Sequence, residues 1–143
     1  MKLGNRKSDP LRRQRFGRRL GAEILEPRTL LASLPIITEF QAINRATILD
    51  EDGDSSDWVE ISNPTAETID LDGWYLTDDA ANLNKWKFPS TAINPGEAII
   101  VFASGKNRTE SAELHTNFRL SGNGEFLALV RTDGTTVAQD FGV

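Results

Sequence analysis

From Leu34 onward, short apolar runs alternate with turn clusters about every ten residues, and no window of helical length carries a clean 3.6-residue period. That punctuation restricts the chain to a β-sandwich or barrel. The expected strands are 36–44, 58–63, 68–71, 74–77, 86–88, 98–103, 118–120, 125–131 and 136–141. In Asp57-Trp58-Val59-Glu60-Ile61-Ser62, Val59 and Ile61 share one face and Glu60 takes the other, the alternation of a half-buried antiparallel strand. Ile99-Ile100-Val101-Phe102 and Phe126-Leu127-Ala128-Leu129-Val130 are apolar on both faces, so both are expected at central positions.

The turns have their own chemistry. Asp72-Gly73 and Asp133-Gly134 predict tight hairpins, because glycine reaches the positive φ of primed turns without steric cost. In Asn94-Pro95-Gly96, proline presets φ and glycine closes the turn. Ser121-Gly122-Asn123-Gly124 separates two expected strands, and Pro64 stops the strand before it because proline donates nothing to a ladder.

Charge divides the chain in two. Residues 1–32 carry nine Lys/Arg against Asp9, Glu23 and Glu26, a balance of +6, which leaves −11 on the remainder and −5 overall. Residues 1–33 are therefore expected to be a basic, largely disordered N-terminal segment, with the folded domain over 34–143. A domain of roughly 110 residues can bury a core without staples. The absence of cysteine excludes a disulfide scaffold, a thiol nucleophile and a cysteine zinc site. Clustered arginines could neutralise phosphates, but the −11 domain behind them would repel a nucleic-acid backbone, so nucleic acid is disfavoured as a partner. The apolar stretch at 24–37 is broken by Glu26, Pro27, Arg28 and Pro35, which makes it a poor signal-peptide core and no transmembrane segment.

Two resemblances add to this reading. Leu25-Glu26-Pro27-Arg28-Thr29-Leu30-Leu31 matches L-E-P-R-x-L-L and resembles the N-terminal segment of large surface or secreted proteins of planctomycete-type bacteria. It implies a sorting or export role for residues 1–33 and an extracytoplasmic, secreted or cell-surface destination. Asp57-Trp58-Val59-Glu60-Ile61-Ser62-Asn63-Pro64 resembles the D-W-[VI]-E-[IL]-x-N-P signature of lamin-tail domains. So do Leu71-Asp72-Gly73-Trp74-Tyr75-Leu76-Thr77-Asp78-Asp79, Phe88-Pro89 with Ile93-Asn94-Pro95-Gly96, and Leu114-His115-Thr116-Asn117-Phe118-Arg119-Leu120-Ser121. The implied fold is an immunoglobulin-like β-sandwich. The implied function is a non-catalytic binding or structural module with a protein or surface-glycan partner. Because bacterial members continue into further modules, the chain is expected to be part of a longer protein. The alternative inherited from the resemblance is an accessory domain of a secreted hydrolase, nuclease-like or phosphoesterase-like, with its catalytic part elsewhere.

Several clusters could carry chemistry. Asp50, Asp52 and Asp54, followed by Asp57, have the alternating spacing that wraps carboxylate oxygens around calcium. The EF-hand pattern fails, with Ser55 where glycine is needed and Ile61 where the bidentate glutamate is needed. Two readings stand: a solvated or counter-ion-bound acidic turn, and a calcium site formed by Asp50, Asp52, Asp54 and Asp57. Asp78 and Asp79 point to opposite faces, so Asp78 is expected to hydrogen-bond the turn at 80–84 rather than share a site with its neighbour. His115, the single histidine, has no cysteine partners for zinc and no G-x-S-x-G serine to activate, and is expected as a packed or hydrogen-bonded strand-edge residue. Ser104-Gly105-Lys106-Asn107-Arg108 lacks the upstream glycine of a phosphate loop and is expected as an exposed basic turn. Of the tryptophans, Trp74 is expected in the core and Trp86, between Lys85 and Lys87, partly exposed.

Overall fold

A computed structural model describes residues 34–142 apart from Glu125. The expected sorting segment at 1–33 lies outside the described residues. Among the described residues there are ten strands and no helix. Strands β1 (Ile36–Gln41), β2 (Asp57–Ser62), β7 (Ala98–Ala103) and β8 (Leu114–His115) form one sheet in the order β1-β2-β7-β8. Strands β10 (Val137–Phe141), β9 (Leu127–Val130), β4 (Tyr75–Thr77) and β5 (Trp86–Lys87) form a second, in the order β10-β9-β4-β5. A short ladder pairs β3 (Ile69–Asp70) with β6 (Ala92–Ile93). All pairings are antiparallel except β7 with β8.

The core lies between the sheets. Val59 and Ile61 of β2 point inward opposite Val101 and Ile99 of β7, and meet Leu76, Trp86, Leu127 and Leu129 of the facing sheet. Val59, Ile61, Leu76 and Leu129 are wholly buried, which stabilises the fold by roughly 1.5–3 kcal/mol for each side chain. The two runs expected at the centre, β7 and β9, are both flanked by strands on either side. The half-buried alternation of β2 holds for Val59, Glu60 and Ile61 but not for Trp58. That indole lies on the Glu60 face and is nevertheless buried, opposite Phe102, with its Nε1–H donating to Gln41 Oε1 at 3.0 Å.

Three expectations need correction. Residues 118–120 do not form a strand: the Thr116 hydroxyl donates to the Phe118 carbonyl and bends the chain, and only Arg119 bridges, to Ser104. Asp72-Gly73 is a corner rather than a hairpin, because β3 pairs with β6 while β4 pairs with β5 and β9. Asp133-Gly134 does close a hairpin, with Gly134 at φ 72° and Arg131 N–H bonded to Thr136 O. Trp86 is buried, 3% exposed, in an edge-to-face contact with Phe88; Lys87 points outward, and Trp86 takes the inward face of the two-residue strand.

Polar side chains complete what short strands leave open. The Asn63 amide donates to the carbonyls of Glu67 and Ile93 and accepts from Thr65 N–H and Oγ, so all four of its hydrogen-bonding positions are used inside the core. At the edges of the two main sheets, the Gln139 carboxamide accepts from Ile37 N–H at 2.7 Å and donates to Ile37 O at 3.2 Å. It supplies β1 with the pairing that a neighbouring strand would give, beside a bulge in each strand.

Candidate functional site

The acidic loop between β1 and β2 is organised around Asp50. Its backbone turns back on itself through Gly53 N–H to Asp50 O and Asp50 N–H to Asp54 O, with Gly53 at φ 81°. One carboxylate oxygen of Asp50 accepts the amides of Asp52 and Asp54, and the other accepts the Ser56 hydroxyl. This gathers Asp50, Asp52 and Asp54 so that one oxygen from each lies within 4.8 Å of the others. The alternating spacing seen in the sequence does converge.

A cation already sits among them. Lys106 Nζ lies 2.7 Å from Asp50, 2.7 Å from Asp52 and 2.9 Å from Asp54. Arg108 adds a second positive charge, 3.0 Å from Glu51 and 2.8 Å from Asp52. The segment 104–108, expected as an exposed basic turn, therefore folds over the acidic loop as its counter-charge. The reason is tertiary: Gly105 N–H to Phe118 O and the paired bonds between Arg108 and His115 aim it there. A divalent ion among the three aspartates would have to displace the lysine, so the calcium expectation carries that condition.

The charges respond accordingly. Burial raises the Asp50 carboxyl, but Lys106, Ser56 and the amides of Asp54 and Asp52 outweigh it and hold the group well below the ordinary carboxylate range. Burial likewise disfavours the Lys106 ammonium, and its bonds to Asp50, Asp52 and Asp54 more than reverse that, raising it above the usual lysine value. Asp52 is lowered by Lys106 first and then by Arg108.

Asp57, expected with the other three, stands apart. It opens β2 and accepts the Asn44 amide at 3.4 Å, and burial pushes its carboxyl upward. Together with Ser104, Lys106 and Arg119 it borders a polar cleft of about 360 Å³. Asp78 is not the turn's acceptor either: Lys85 holds it at 2.6 Å, while Asp79 accepts the Ala81 amide and Thr77 bonds to Asn82 O.

His115 lies in the edge strand β8, fully buried, its ring stacked on Phe102 at 5.4 Å and its Nδ1 2.9 Å from Ser104 Oγ. This agrees with a packed, hydrogen-bonded edge residue. Its Nε2 faces Glu51 at 3.7 Å and Glu113 at 4.0 Å. Lys106, Arg108 and Glu113 are the participants that sequence reasoning missed. The opposite charges of 50–57 and 104–108 were the available signal, but nothing in the sequence paired the two segments.

Immediately before the acidic loop, residues 40–49 carry the exposed large apolar side chains Phe40, Ile43 and Leu49. Asn44 holds this excursion together by donating to the carbonyls of Ile48 and Ser56 and accepting from the amides of Ala46 and Thr47. Phe40 meets Phe141 edge-to-face at 5.1 Å, beside a groove of about 290 Å³ that Leu120 and Leu127 also border.

No curated protein matches the chain in sequence. Comparison with known families matches residues 43–141 to the Lamin Tail Domain, which spans the acidic loop, the core of both sheets and the final strand. The match covers most of the chain and agrees with the all-β sandwich and its motif positions: the chain belongs to the lamin tail domain family.

Proposed function

We propose that the chain is a non-catalytic binding or structural module of a secreted or surface-associated bacterial protein, and that its partner is a protein. The observation that carries this reading is the apolar excursion at 40–49. Phe40, Ile43 and Leu49 are 40%, 54% and 53% exposed in a domain whose other large apolar side chains are mostly buried. Exposed apolar groups gathered on one segment mark contact surfaces more often than they occur by chance. A protein suits them better than a glycan, because sugar platforms use exposed aromatic faces, Trp58, Trp74 and Trp86 are all buried, and the exposed ring of Phe40 is engaged edge-to-face by Phe141 beside the aliphatic Ile43 and Leu49. The reactive side chains support the same reading: Lys106 and Arg108 are spent on internal carboxylates, and Ser104 and His115 are buried. The extracytoplasmic part of the proposal rests on the Leu25–Leu31 motif of the sequence.

The test is affinity capture from a cell-envelope fraction by the full chain and by its Ile43→Glu and Leu49→Glu variants. A protein retained by the parent and lost with both variants, at unchanged melting temperature, is the expected result. Equal retention by all three would remove this surface from the proposal. Fractionation of cells producing the full chain tests its destination, and recovery only in the cytoplasm would overturn that half.

A further inference from the structure

The turn Ser121-Gly122-Asn123-Gly124 carries the only Asn-Gly pair in the sequence. Asparagine is a chemically labile residue, and its surroundings decide whether it reacts. Asn123 and Gly124 are both exposed. Among the described residues the Asn123 carboxamide has no hydrogen-bond partner; only its backbone N–H is engaged, donating to Ser121 Oγ at 3.4 Å. Other carboxamides of the domain are tied down. Asn44, Asn63 and Asn117 each donate to main-chain carbonyls, and Asn94 accepts the Thr68 hydroxyl. Such bonds hold a carboxamide away from the backbone that follows it.

Gly124 supplies the second half of the argument. It stands at φ 83°, and a Cβ at this position would meet nothing within 4 Å. With no side chain of its own and no neighbour over it, its amide nitrogen has unobstructed access to the Asn123 side chain. Attack within one chain avoids the entropic cost of bringing two molecules together. Three aspartates also precede glycine, at 52, 72 and 133. An ionised carboxylate is a poor electrophile, and Asp52 is held by Lys106 and Arg108 while Asp133 is held by the Thr136 hydroxyl. Asn123 is the reactive member of the set.

We propose that Asn123 is a deamidation site that converts through a succinimide to aspartyl and isoaspartyl forms. The Gly124 nitrogen gives its proton to solvent base and bonds to Asn123 Cγ. The Cγ–Nδ2 bond breaks, and Nδ2 takes a proton from water and leaves as ammonia. Water then adds to one of the two ring carbonyls. Opening between Cγ and nitrogen gives aspartate; opening at the main-chain carbonyl routes the backbone through the side chain as isoaspartate. Either product adds one negative charge to a chain of formal charge −5. Ile43 packs on this turn, its Cδ1 only 2.6 Å from where a Cβ at Gly122 would stand, and Gly122 and Gly124 border the groove beside Phe40 and Phe141. The new charge would enter the apolar surface on which the proposed partner contact rests, although the reaction itself does not depend on that contact.

The test incubates the full, folded chain at mildly alkaline pH, where more of the attacking nitrogen is deprotonated. Trypsin then releases residues 120–131, bounded by Arg119 and Arg131, in which Asn123 is the only side-chain amide. A sample digested at zero time sets the baseline. The expected result is a time-dependent amide-to-acid mass gain on that peptide, in two separable isomers, with the peptides carrying Asn44, Asn63 and Asn117 unchanged. Asn123→Ser should abolish the acidic shift of the intact chain on isoelectric focusing at an unchanged melting temperature. No gain on 120–131 would overturn the proposal. So would a single aspartyl product, which marks direct hydrolysis, equal gain on the other asparagine peptides, or an acidic shift that persists in Asn123→Ser.

Discussion

Lys106 reaches back 56 residues to place its ammonium 2.7 Å from Asp50, whose side chain is fully shielded from solvent. The pair fastens the β7–β8 connection to the acidic loop. Truncating the lysine strands a buried carboxylate, whereas Asp50 keeps the Ser56 hydroxyl and two amides as donors. The cost should therefore fall below the ~3–5 kcal/mol of a fully buried pair, at about 2 kcal/mol for Lys106→Met. Urea unfolding checks this. Because the two residues share one interaction, Lys106→Met with Asp50→Asn should lose less than the sum of the single variants.

Lysine and a divalent ion compete for the same three oxygens. Removing the ammonium by Lys106→Ala should make the loop more calcium-sensitive, with a melting temperature that rises more at millimolar calcium than the parent's does. Differential scanning of both proteins with calcium or chelator is the measurement. An equal response in both would show that the aspartates do not present a cation site even when vacated.

The same pair predicts a two-sided pH dependence. Asp50 is held below its ordinary value of 3.8, so its stabilisation is present above about pH 4 and is lost as pH falls toward the folded value. Lys106 is held above 10.5, so its stabilisation is present below that pH and is lost as pH rises beyond it. Lys106→Met should flatten both limbs of a stability-versus-pH curve. Asp133, lowered to about 2 by the Thr136 hydroxyl and the amides of Thr135 and Thr136, should keep its own acid limb in the variant.

Asn63 offers a test of the core's polar content. It is 0% exposed and uses two donors and two acceptors. Asn63→Asp keeps the shape but removes both donors, facing a carboxylate with the carbonyls of Glu67 and Ile93. The expected loss is about 3 kcal/mol or more, larger than for Asn63→Ala at about 2–3 kcal/mol. Chemical denaturation orders the two variants, and the reverse order would show that water replaces the lost donors.

Much of the fold was legible because strand signals are local. The alternation of Val59, Glu60 and Ile61, the apolar runs of β7 and β9, and the Asp133-Gly134 turn are all where the sequence puts them. The errors fell where local pattern underdetermines pairing. Asp72-Gly73 has the chemistry of a hairpin, yet it turns a corner because β3 and β4 find partners in different sheets. Lys85 and Lys87 suggested a wet Trp86, but strand alternation allows charged neighbours on the outer face while the indole packs inward.

Sequence alone determined the all-β class, the longer strands such as β2, β7 and β9, and the acidic and basic segments, because each is set by neighbours within a few residues. Which charges meet was decided by tertiary structure. Lys106 fills the Asp50 triad, Asp57 is drawn off to Asn44, and Glu51 and Glu113 converge on His115. These contacts join loops from different strand connections, and their geometry follows from sheet order and register, which no local periodicity encodes.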